Sequence, residues 1–95
     1  LNSIEEHIEL ARKELAKDLK ENGSTKAYYD HHKELIDVDD QEFISSLHLK
    51  RIGFYPDEKD EFVIFDFTVD KNATDYMIVV VFDSEISFVR IDIES

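Results

Sequence analysis

The chain has 95 residues with 11 basic and 23 acidic side chains, which give a formal net charge of −12. That length and a hydrophobic content of 42% suit a single domain, residues 1–95, with a modest core. The negative charge disfavours nucleic acids and anionic membranes, and the absence of cysteine excludes disulfides and thiolate metal sites. No apolar run approaches the roughly 20 residues of a membrane helix, so we expect a cytoplasmic protein with no membrane contact and no cofactor. Residue 1 is Leu rather than Met, so the removal of a leader peptide stays open as an alternative.

The first helix is indicated by a capping box, in which Glu6 follows Ser3 at the required spacing. It is expected to end at Asn22-Gly23, because glycine accepts the left-handed conformation found just past a helix. Its apolar positions recur three or four residues apart, as one helical stripe requires: Ile4, Ile8, Ala11, Leu15 and Leu19.

Two shorter helices are predicted before residue 47. Ser24 or Thr25 caps the first of them, and Asp39 or Asp40 caps the second, which runs through Ser45 or Ser46. The apolar and aromatic positions of these two helices are Tyr28, His31, His32, Leu35 and Ile36, followed by Phe43 and Ile44.

Four apolar runs after residue 46 predict an antiparallel meander sheet, residues 47–95, with the helical part, residues 3–46, packed on one face. The predicted fold class is therefore α+β, with two or three N-terminal helices on a four-stranded sheet. The turn through Lys71 to Thr74 pairs Val80 with Phe65, and a two-residue turn at Ser84-Glu85 pairs Val80 with Val89. A bulge at Lys50-Arg51 is expected to place Leu47, Leu49, Ile52 and Phe54 opposite Val69, Phe67, Phe65 and Val63.

The other face of this sheet, the outer face, is predicted to stay apolar at its centre and to be covered by something. In the predicted register Asp66 lies across from Arg51, and Arg90 lies one strand further along, past Val79. A second subunit or a different protein could cover the face, or the N-terminal helix could wrap round to it. The residues predicted to bind a partner there are Ile64, Asp66, Met77, Val79, Val81, Phe88 and Arg90; Tyr55, Phe62 and Ile86 are placed on the same face.

The sequence contains only weak candidates for catalytic or metal-binding motifs. His31 and His32 are adjacent on a helix and point about 100° apart, so they cannot chelate one ion as an i, i+4 pair does. We expect them to be boundary histidines bonded to backbone or to acidic neighbours. Residues 70–75 begin like a calcium loop, but Asp75 stands where that loop needs glycine, so a hairpin loop is expected. No catalytic or metal-binding residue is predicted.

Several segments together resemble an uncharacterised bacterial family, domain of unknown function number two-thousand-and-four. They are "YYDHHKELI", "LHLKRIGFYPDEKDEFVIFDFTVD", "DYMIVVVFD" and the ending "IDIES", which lie between Tyr28 and Ser95. That family has an aromatic-then-His-His helix before a meander that ends in a Glu-Ser pair, here His31, His32, Glu94 and Ser95. The resemblance implies a bacterial, cytosolic helix-plus-sheet domain and brings no activity with it.

The charge and the uncovered sheet face predict a non-enzymatic acidic module that binds a protein partner. Small acidic α+β proteins of this kind include immunity-type inhibitors of bacterial toxins. A self-associating structural protein that forms a homodimer through the apolar face is the alternative, for which Val79→Lys is expected to yield a monomer. The least favoured alternative is a small metal-dependent hydrolase that uses His31 or His32.

Overall fold

The computed structural model of the chain describes residues 3–32, 38–69 and 76–94, with Ser3 described in its backbone only. The strands form one antiparallel sheet in the order β1-β2-β3-β4, which confirms the predicted α+β meander. None of the described helices is long and apolar enough to cross a membrane. In chain order the elements are α1 (Ser3–Lys20), α2 (Ser24–His31), α3 (Asp40–Ser46), β1 (His48–Phe54), β2 (Val63–Thr68), β3 (Met77–Phe82) and β4 (Phe88–Glu94).

The turn between α1 and α2 differs from the prediction in its capping residues. Asn22 takes the left-handed conformation at φ 61°, whereas Gly23 has φ −86° and is the N-cap of α2. The backbone N–H of Thr25 donates to Asp18 Oδ2 at 2.7 Å, so a carboxylate from α1 caps α2. A Cβ on Gly23 would lie 2.0 Å from Asp18 Oδ1. Glycine is therefore needed here to admit that carboxylate.

The helices pack their apolar stripe on one face of the sheet, as predicted. Ala11 and Leu15 are fully buried there, while Ile4, in the first turn of α1, is 52% exposed. For α3 the cap is Asp39, whose Oδ1 accepts from the backbone N–H of Glu42 at 2.9 Å. Leu35, Ile36 and residues 70–75 lie outside the described residues. The buried core cluster consists of Ala11, Leu15, Leu19, Tyr28, Tyr29, Phe43, Leu47, Val63, Phe65, Phe67, Val69, Ile78, Val80, Phe82 and Ile91.

Buried polar groups tie α2 to the rest of the core. The Tyr28 hydroxyl donates to the backbone oxygen of Tyr76 at 2.8 Å, and burial raises the pKa of this phenol. The Tyr29 hydroxyl donates to the backbone oxygen of Val38 at 2.5 Å. Phe43 of α3 packs its ring against both tyrosines. The two aromatic residues of α2 therefore connect it to α3 and to the start of β3.

The first two hairpins have the predicted register. Phe65 pairs with Val80 across β2 and β3, and Ile52 and Leu49 of β1 pair with Phe65 and Phe67. The register shift lies between Leu49 and Arg51, which confirms the predicted bulge. One continuous apolar face therefore runs beneath the helices from β1 to β3.

The third hairpin is out of its predicted register by two residues, because Val80 pairs with Ile91 rather than with Val89. The Asp83 carboxylate accepts from the backbone N–H groups of Glu85 and Ser87, each at 2.9 Å, which closes a longer turn than predicted. Ile86 takes φ 59° in this turn, a conformation that is costly for a β-branched residue. Its side chain packs against the core cluster, which offsets that strain.

Candidate protein-binding surface

The predicted ion pair on the outer face is present. Arg51 pairs with Asp66 across β1 and β2, and its Nη2 lies 2.7 Å from Asp66 Oδ2. The arginine side chain is 68% exposed, whereas that of the aspartate is 5% exposed. The hydrogen bond to Asp66 raises the pKa of the Arg51 guanidinium. This pair therefore covers a buried carboxylate with a solvated cation.

Arg90 lies two residues from its predicted position. It pairs with Val81, and Asp92 takes the predicted place beside Val79. The Arg90 guanidinium donates to Glu61 through Nη2 and to Asp92 through Nε, and the bond to Glu61 contributes most to its raised pKa. Glu61 precedes β2 while Arg90 is on β4, so this link spans β3 on the outer face.

The centre of the outer face is closed, which corrects the expectation of an uncovered apolar area. Val79 is 2% exposed and Val81 is 1% exposed, although neither belongs to the core cluster beneath the helices. Ile64 and Met77 are half-buried. The strand positions around these valines hold Ile64, Met77 and the ion pairs of Arg51 and Arg90. The alternative in which α1 covers this face is also wrong, because its buried residues belong to the core cluster on the opposite side.

Three aromatic or apolar residues are not where the outer-face prediction placed them. Phe88 pairs with Phe82, whose ring it contacts, and so lies on the helix-facing side. Phe62 and Ile86 likewise pack against the core cluster. A bulge at Val89, where the register shifts between Val81 and Phe82, reverses the side to which Phe88 points. Tyr55 stays on the outer face, since a Cβ on Gly53 would lie 2.9 Å from its ring.

The two turns that are described, β1–β2 and β3–β4, lie at the same end of the sheet and are joined. The backbone N–H of Ser84 donates to the backbone oxygen of Lys59 at 3.0 Å, and that of Phe62 donates to Phe82 at 3.0 Å. These bonds fix the two turns against each other. We call this end of the molecule the turn-end surface; it comprises Phe54, Tyr55, Asp57, Glu58, Asp60, Glu61, Glu85 and Phe88.

The turn-end surface is strongly acidic. Glu61 is paired with Arg90. In the part of the chain that the structure describes, the other carboxylates of this surface form no ion pair: Asp57, Glu58, Asp60 and Glu85. Each of these four residues is exposed. Their negative potential is therefore offset mainly by Lys59, the one cation within the β1–β2 turn.

Exposed aromatic rings lie directly beside these carboxylates. Phe54, Val63, Phe82 and Phe88 form one row across the four strands. The two outer members are 55% and 41% exposed, and Tyr55 is 45% exposed. Three strand spacings separate the ends of the row, roughly 14 Å. The two inner members, Val63 and Phe82, are buried, so the exposed apolar surface consists of separate rings at the two ends of this row.

His31 and His32 occupy different environments, and neither is part of the turn-end surface. His32 is 1% exposed, and its Nδ1 lies 2.8 Å from the backbone oxygen of Tyr28, whereas His31 is exposed. Both rings line a cavity of about 280 Å³ with Tyr76. Among the described residues, no group of three His, Cys, Asp or Glu side chains could hold a metal ion.

Sequence reasoning missed the turn-end surface, although its signals were present. The acidic run from Asp57 to Glu61 and the turn at Asp83 to Glu85 are visible in the sequence. In a meander, the first and third turns lie at the same end of the sheet, so their proximity followed from the predicted topology. The exposure of Phe54 and Phe88 did not, because side-chain spacing does not show which residues of a row the rest of the chain covers.

No family model, curated protein or solved structure was found to match this chain. The resemblance of the segment from Tyr28 to Ser95 to domain of unknown function number two-thousand-and-four therefore stays a prediction.

Proposed function

We propose that the protein is a non-enzymatic module that binds a basic protein partner through the turn-end surface. The observation that carries this proposal is the hydrogen bond between Ser84 and Lys59, which holds two acidic turns together beside exposed aromatic rings. A rigid arrangement of this kind loses little conformational entropy on binding. An immunity-type inhibitor of a basic toxin is one protein class that would need such a surface.

The two kinds of side chain on this surface have separate roles in binding. The carboxylates attract a cationic partner over a distance of about 8–10 Å at physiological salt and orient it during approach. The aromatic rings provide affinity once water is expelled, because buried Phe and Tyr side chains dominate the energetics of protein interfaces. Phe54 and Phe88 are suited to this because they are already ordered by pairing within strands.

Self-association through the outer face is less well supported by the geometry. Val79 and Val81 are covered by the chain itself and have little apolar surface left to bury. The substitution Val79→Lys would place an ammonium group at a buried position, which is costly in any oligomeric state. It therefore does not test for a dimer.

A selection of peptides from a random displayed library tests the proposed partner chemistry with the whole chain as bait. We expect the enriched peptides to carry Lys or Arg beside an aromatic or aliphatic residue, and their binding to weaken as salt is raised from about 50 to 500 mM. Enrichment of peptides with no excess of positive charge, or of binders indifferent to salt, would contradict the proposal.

A further inference from the structure

The two edge strands of the sheet differ in how well they can accept another strand. β1 is interrupted by its bulge between Leu49 and Arg51 and carries Lys50 there, features that protect a sheet edge. β4 has a bulge only near its start, at Val89, and pairs with β3 without a register shift from Arg90 to Glu94. Its other side is the edge of the sheet. An uninterrupted edge strand is a template for pairing with another chain.

The side chains of β4 alternate in a way that is complementary to itself. Ile91 and Ile93 pair with Val80 and Ile78 and point to the helix-facing side, and Ile93 is 39% exposed. Arg90 and Asp92 point to the outer face, with side chains that are 43% and 42% exposed. Two such strands placed antiparallel can match apolar with apolar and positive with negative.

We propose that β4 pairs antiparallel with β4 of a second copy of this chain, with Ile91 opposite Ile91 on the two-fold axis. This arrangement sets Arg90 of each copy opposite Asp92 of the other. It joins the two sheets into one and leaves the helices of both copies on the same side. The inference goes beyond the proposed binding function, since it concerns the edge of the sheet rather than its turns.

The charged side chains favour the register centred on Ile91 over the two neighbouring registers. Registers that keep the apolar residues on one side differ by two positions, because a shift of one residue reverses every side chain. Centring the pair on Arg90 would place two arginines face to face, and centring it on Asp92 would do the same with two aspartates. Only the register centred on Ile91 has two attractive pairs and no like-charged pair. A single short strand pair buries little area, so the dimer is expected to be weak and dependent on concentration.

Single cysteines test the register, because the wild-type chain has no cysteine to interfere. Directly opposed residues in an antiparallel pair have Cα atoms about 4.5–5.5 Å apart, within the range of a disulfide. At about 100 µM and under mild oxidation, Ile91→Cys is expected to form a covalent dimer at least about tenfold faster than Arg90→Cys or Asp92→Cys, the markers of the neighbouring registers. Equal rates for the three variants would overturn the proposal.

Charge variants provide a second test that does not alter the buried Ile91. Arg90→Asp and Asp92→Arg should each sediment as a monomer at about 100 µM, where the wild type is expected to dimerise. Mixing the two folded variants places opposite charges at both facing pairs, so the mass should double and the dimer should reappear. A wild type that sediments as a monomer throughout, or a mixture no heavier than its components, would overturn the inference.

Discussion

Changing Glu58, Asp60 and Glu85 to lysine together is expected to weaken binding of the selected basic peptides about 30-fold at 100 mM salt. These three carboxylates are exposed and form no ion pair within the described part of the chain. Each substitution replaces an attraction with a repulsion, and a 30-fold loss corresponds to about 2 kcal/mol shared among three sites. Isothermal titration or fluorescence anisotropy with a labelled peptide measures the loss.

The matched control changes the same number of carboxylates elsewhere. Glu9, Glu21 and Glu42 are exposed residues in or beside the helices, and their change to lysine alters the net charge by the same amount. This variant should bind the peptides within about threefold of the wild type, because charges farther than a Debye length are screened. Equal losses in both triple variants would mean that net charge, rather than the turn-end surface, determines binding.

Phe43→Ala is expected to have the largest effect on folding. The side chain is fully buried in α3 and packs against the rings of Tyr28 and Tyr29. Removing a buried phenylalanine costs about 3–5 kcal/mol. A chain of this size has a free energy of unfolding of roughly 5–14 kcal/mol. The variant should therefore lose about a fifth or more of its stability in urea unfolding followed by circular dichroism.

Phe54→Ala is the control for this substitution, because it deletes the same side chain from an exposed position. Phe54 is 55% exposed at the turn end, so the free energy of unfolding should fall by less than about 1 kcal/mol. The same variant should reduce peptide binding, since Phe54 is one of the exposed rings of the turn-end surface. Similar losses of stability in the two variants would show that the core boundaries are drawn incorrectly.

The architecture could be predicted because three of its determinants are local in the sequence. The stripe of α1, the bulge beside Arg51 and the alternation of β2 and β3 each follow from side-chain spacing. The turn that ends α1 depends on a contact between a side chain and the backbone, which residue spacing does not show. Gly23 was predicted to take the left-handed position, but Asn22 takes it because the Asp18 carboxylate occupies the space beside Gly23.

The third hairpin could not be predicted because a side chain determines its turn. A two-residue loop at Ser84-Glu85 preserved the apolar alternation, and sequence pattern alone does not exclude it. The Asp83 carboxylate instead binds two backbone amides and enlarges the turn. The larger turn moved Arg90 away from Val79, and a bulge at Val89 moved Phe88 off the outer face.

The exposure of the outer-face side chains could not be predicted from the sequence pattern either. A row of apolar residues predicts which way side chains point, but it does not show how far neighbouring long side chains cover them. The link between Glu61 and Arg90 crosses the whole of β3, and no spacing rule predicts it. The central valines are buried within the chain itself, and the surface that we propose for binding lies at the end of the sheet.

The most direct test of the turn-end surface is an amide chemical-shift titration of the ¹⁵N-labelled wild type with the tightest selected basic peptide. The largest shifts are expected at residues 54–62 and 83–88, which contain the two joined turns and the exposed aromatic rings. Residues of α1 and the central outer-face positions Val79 and Val81 should stay within the noise. Shifts concentrated on the helices or on the centre of the outer face would contradict the proposed binding surface.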